Sequence, residues 1–139
     1  MLTLSRLPDW DRRLARMVNH HNKTPGEWGV SDCLLTVMDA VIAVTGFDPA
    51  EDIRGGVYST AAGAARVLLK RGHADVEAAL ASLFPSVAKL MAQRGDVGVV
   101  ERNGTLSCGF MCDRGFAVKD ERGLSFIPQS DIKTAFKVG

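Results

Sequence analysis

The sequence has few cysteines, almost no net charge and no long apolar run, and each shortage argues against a class of protein. Three unevenly spaced cysteines in 139 residues argue against a disulfide framework and for folding in a reducing compartment. The 17 basic and 16 acidic residues nearly cancel and are scattered along the chain, so no footprint for nucleic acid or an anionic membrane is expected. No stretch reaches the roughly 18 apolar residues of a membrane helix, and Met1 to Trp10 lacks the apolar centre of a signal peptide. The expectation is synthesis in the cytoplasm with no export signal. Internal repeats, low-complexity tracts, a phosphate-binding loop, an HExxH helix and paired carboxylates are also missing.

What is present is enough apolar material for one core. At 46% hydrophobic and 24% charged, the chain reads as a single domain over residues 1–139. Trp10, Leu14, Met17, Val18 and His21 recur at helical spacing after Pro8-Asp9, which predicts an amphipathic first helix that ends at the turn formers Asn22 to Gly26. Ser31 and Asp32 offer N-capping side chains to a run from Cys33 to Thr45 with almost no polar face, so this second helix is expected to be central and buried, stopped by Gly46. Alanine-rich helices are predicted from Thr60 to Arg71 and from about Asp75 to Phe84, packed as a pair beside the central helix. After Arg94 the period shortens. Strands are predicted at Val97–Val100, Leu106–Met111, Phe116–Val118, Leu124–Ile127 and Thr134–Val138, with turns at Asn103-Gly104, Asp113 to Gly115 and Glu121 to Gly123. Helices first and an antiparallel sheet second make an α+β fold.

One position carries chemistry. A cysteine in the first turn of a helix has backbone N–H groups and the positive end of the helix dipole beside its sulfur, and both favour the thiolate. Cys33 holds that place within Trp28-Gly29-Val30-Ser31-Asp32-Cys33. Asp32 is expected to cap the helix, Trp28 to pack under the cysteine loop, Asp96 to close a turn, and Tyr58 to serve as a core lid or to point its hydroxyl into the site. His20, His21 and His73 are expected at exposed helix ends. Cys108 and Cys112 share a strand face. With Cys33 they could hold a metal or iron–sulfur cluster, but their spacing is not that of a zinc knuckle or ribbon. Ordinary buried thiols, with no metal or cofactor, are expected.

The Trp-Gly-x-x-Asp-Cys segment and Arg94-Gly95-Asp96-Val97-Gly98-Val99-Val100 resemble the NlpC/P60 superfamily of papain-like peptidases. The resemblance implies a papain-like fold in which the buried cysteine-bearing helix packs on a small C-terminal antiparallel sheet, with Cys33 in the nucleophile's place. It also implies a pocket drawn from Trp28, Gly29, Tyr58 and Cys108. The family's histidine strand, His-x-Gly followed by an apolar residue, aligns with Ser107-Cys108-Gly109-Phe110 and puts Ser107 at the histidine position. Over nearly its full length the chain also resembles small phage and prophage proteins encoded among tail genes. Thr45-Gly46-Phe47-Asp48-Pro49, Arg54 to Thr60 and Gly123-Leu124-Ser125-Phe126-Ile127-Pro128 carry that likeness. It implies a structural component of a tailed-phage tail tip or baseplate, assembled in the host cytoplasm and located in the virion, with other tail-tip or hub proteins and peptidoglycan as partners. The alternative is an active cysteine peptidase or amidase that cuts peptidoglycan stem peptides with Cys33. A third reading is an intracellular cysteine hydrolase unrelated to phages.

Overall fold

The computed structural model describes all residues, 1–139. Four helices come first, α1 (Trp10–Asn22), α2 (Cys33–Thr45), α3 (Ala61–Lys70) and α4 (Val76–Leu83). Six strands follow, β1 (Ser86–Val87), β2 (Val97–Arg102), β3 (Thr105–Cys112), β4 (Gly115–Lys119), β5 (Leu124–Ile127) and β6 (Thr134–Phe136), paired antiparallel in the order β1-β6-β2-β3-β4-β5. The fold is α+β. The helix ends follow local chemistry: the carboxylates of Asp32 and Asp75 and the hydroxyl of Thr60 accept from the third backbone N–H beyond each, and Gly46 closes α2 in the left-handed conformation. Ser31, by contrast, does not cap α2, and its buried hydroxyl has no partner.

The central helix α2 lies on β3 and β4, and α1 lies on α2. Val37, Val41 and Val44 of α2 are completely buried, as are Val99, Cys108 and Phe110 of the sheet. Each such side chain contributes roughly 1.5–3 kcal/mol when taken from water. The strand period explains the division of the sheet. Cys108, Phe110 and Cys112 face α2, whereas Met111 joins Phe116, Val118 and Ile132 in a smaller core on the opposite face. The N-terminal segment is tied down by Arg6, which donates to the carbonyls of Arg94 and Val138 and to Asp96.

One expectation needs correction, and two features go beyond what was expected. The helices α3 and α4 do not form a pair beside α2: α4 lies across β2, β3 and β6, and only Leu68 of α3 is buried. Small side chains permitted close helix packing, but the larger apolar gain for α4 was the sheet. The short strand β1 was not foreseen, because two residues carry no period. Asp96 does more than close a turn. Its buried carboxylate accepts from Gln93 N, Val138 N and Arg6, and so joins three separate segments.

Candidate functional site

Cys33 opens α2 in the wall of a cleft of about 280 Å³, partly exposed, with Asp32, Trp28 and Ser107 also in the wall. The local backbone explains how it arrives there. Gly29 has φ +80° and turns the chain so that its N–H donates to Asp32 Oδ2 at 3.0 Å. Asp32 Oδ1 accepts from Leu35 N at 2.9 Å, and the buried Tyr58 hydroxyl donates to Oδ2 at 2.6 Å. The carboxylate before the cysteine therefore spends both oxygens on holding the loop. Burial and this hydrogen bond push the Tyr58 hydroxyl far above its ordinary value, so it stays a donor. Trp28 does not pack under the loop: it is 45% exposed and forms a side of the cleft. With Gly29 held against Tyr58, no space remains beneath the loop for an indole.

Behind Cys33 stands Cys108, wholly buried on β3. Hydrogen bonding with the neighbouring Cys108 thiol is the largest influence holding Cys33 below the ordinary thiol range. The N–H groups of Cys108 and Leu34 act in the same direction, against burial and the nearby charge of Asp32. The same hydrogen bond, together with burial, pushes Cys108 well up. Cys33 is therefore the more acidic of the two thiols. One expected result is that alkylation of Cys33 by iodoacetamide reaches half its maximal rate below the pH of a free thiol. Cys108→Ala should move that midpoint upward; an unmoved midpoint would dissociate the two sulfurs. Cys112 takes no part. It lies four residues along β3, about 13 Å away, and no three His, Cys, Asp or Glu side chains are grouped as a metal site requires.

No imidazole lines the cleft. His20 is exposed and His73 half-buried, but His21 is 3% exposed, not at an open helix end. Its Nε2 lies 2.8 Å from Asp39 of α2, and Asp39 in turn pairs with Arg54. Burial alone would raise the Asp39 carboxyl, but the His21 hydrogen bond and the Arg54 charge outweigh it and hold it below the usual carboxylate range. The fourth side of the cleft was not anticipated. Gly26 N donates to the Asp120 carbonyl, which brings Glu27 into one cleft with Lys119, Asp120 and Glu121. Lys119 is 8% exposed, and its ammonium donates to the carbonyls of Thr24 (2.6 Å) and His21 (3.3 Å). Burial lowers its basicity. The signal in the sequence was a lysine on the inward face of β4, two residues after Ala117.

The model of a family described as a domain of unknown function, DUF6950, matches residues 5–138. The chain belongs to that family. No curated protein and no solved structure matches the chain. Membership assigns no reaction, so the chemistry rests on the cleft. It offers a cysteine held below the ordinary thiol range, two N–H donors beside it, a serine on the facing strand, the carboxylates of Glu27 and Glu121, and no imidazole. No helix is long and apolar enough to cross a membrane.

Proposed function

We propose that this chain is a structural component of a tailed-phage tail tip or baseplate, built on a papain-like, NlpC/P60-type fold whose cysteine centre has lost peptide hydrolysis. Supporting the setting are the ordered motifs from Trp28 to Pro128 and the placement of Cys33 on a buried helix against an antiparallel sheet. One observation carries the loss of hydrolysis: Ser107, not an imidazole, lines the cleft with Cys33. A thiolate that attacks an amide must see the leaving nitrogen protonated, and a hydroxyl does not supply that proton near neutral pH. Asp32 and Lys119 do not replace the base, since both are committed to the loops that frame the cleft.

The partners are then neighbouring tail-tip or hub proteins, with peptidoglycan met at entry. Mass spectrometry of purified particles encoding this chain should find it in stoichiometric amounts; its absence would overturn the virion role. Wild type and Cys33→Ala incubated with peptidoglycan should both release no fragments. The lowered Cys33 thiol in an open cleft favours a second reading, a peptidase or amidase acting on stem peptides. Release by wild type and not by Cys33→Ala would establish it.

A further inference from the structure

The loop before α2 leaves Trp28 and Val30 at 45% and 60% exposure, and Val57 is 56% exposed on the next loop. Gly56 N donates to the Gly29 carbonyl, so the two loops that carry these side chains are joined. Trp28 belongs both to this apolar patch and to the wall of the cleft. The charges in the cleft divide unevenly. Asp120 is occupied by Arg122 N, Gly123 N and the Ser125 hydroxyl, and Asp32 is occupied as described. The ammonium of Lys119 is turned to backbone carbonyls. Glu27 and Glu121 remain, exposed and without a hydrogen-bonded or ionic partner, in the wall of the cleft that also holds Cys33. A cleft with two uncompensated carboxylates and an indole in its wall attracts a cation. Its volume of about 280 Å³ suits one long side chain.

We propose that the cleft and the adjoining patch form a docking surface for a segment of a partner polypeptide that places a Lys or Arg side chain between Glu27 and Glu121 and rests flanking apolar side chains on Trp28, Val30 and Val57. The apolar patch is what demands a polypeptide: a small amine would satisfy the carboxylates and leave the patch uncovered. This surface does not depend on the virion role. Particles lacking the chain would remove that role and leave docking untouched.

Cys33 in the wall of the cleft serves as a reporter. Acetylated peptides Cys-Val-Lys-Val, Cys-Val-Glu-Val, Cys-Val-Gln-Val and Cys-Gly-Lys-Gly, each activated as a 2-pyridyl disulfide, are offered to the full chain. The Cys33 thiolate attacks the peptide sulfur, a new disulfide forms, and pyridine-2-thione leaves with the electron pair of the broken bond. Capture is followed by intact mass, and Cys33→Ser is the blank. Dividing each rate by that of the glutamine peptide cancels the reactivity of the thiol itself. The lysine peptide should be captured about tenfold faster than the glutamate peptide at low ionic strength, and the preference should shrink as salt rises. Glu27→Gln combined with Glu121→Gln should bring the ratio close to one, and both positions are exposed, so the fold survives. Trp28→Ala should erase the advantage of Val-Lys-Val over Gly-Lys-Gly. Equal capture of lysine and glutamate peptides, or a preference that survives the double substitution, overturns the proposal. Equal capture of Val-Lys-Val and Gly-Lys-Gly by wild type overturns it too, because the surface would then be only an amine site.

Discussion

Gly29→Ala is expected to destabilise the protein by about 3–5 kcal/mol, the sum of a left-handed backbone imposed on an L-residue and a steric overlap. The overlap is with backbone, not with a side chain that could turn aside. A Cβ on Gly29 would fall inside the Tyr58 carbonyl oxygen, with the Tyr58 carbonyl carbon 2.9 Å away. Relief requires the loop carrying Gly56 and Tyr58 to withdraw, which breaks Gly56 N to Gly29 O and strains the Tyr58 hydroxyl away from Asp32. Urea unfolding followed by circular dichroism should show the midpoint falling by roughly 2 M for a chain of this size. Gly56→Ala is the control. It has a similar φ of +80° and nothing within 4 Å of the added carbon, so it carries the backbone cost of roughly 1–2 kcal/mol alone. Equal midpoints for the two variants would contradict the close approach of the loops.

The second large effect belongs to Asp32. Asp32→Ala removes the helix cap, worth about 1 kcal/mol, and leaves the Gly29 N–H and the Tyr58 hydroxyl buried without an acceptor, at about 1–3 kcal/mol each. A total near 4 kcal/mol is expected. Tyr58→Phe removes one donor and no acceptor, so it should cost only about 1 kcal/mol. The test is the cycle. In the Asp32→Ala background, Tyr58→Phe should be neutral or stabilising, because it deletes a hydroxyl that has already lost its partner, giving a coupling of about 1–2 kcal/mol. Additive losses would mean that the hydroxyl bonds elsewhere.

The two experiments probe one arrangement from opposite ends. Gly29 lets the loop approach, and Asp32 fastens it, and together they set Cys33 in the wall of the cleft. That loop also presents Trp28 and Glu27 to the cleft and Val30 to the patch.

Much of this protein was legible in the chain because its local signals are strong. A carboxylate or hydroxyl placed before an apolar run, with a glycine after α2 and α3 and Pro85 after α4, bounded the three helices to within a residue or two. The Asn103-Gly104 turn, with both residues at positive φ, set the register of β2 against β3. The seat of Cys33 followed from the same cues, since a helix with no polar face must be central. The sequence alone determined those matters, because each depends on residues within a few positions of one another. Only the tertiary structure decided which partners the buried polar groups took. His21 was expected in solvent, yet α1 turns it onto Asp39 of α2. Tyr58 reaches Asp32 across 26 residues. The cleft closes only when Gly26 meets Asp120, and Lys119 is held by carbonyls almost a hundred residues earlier. Period and propensity report whether a residue faces inward, but not what waits there. The partner is chosen by how whole elements dock, a choice made by the summed burial of the core and not by the two groups that finally meet.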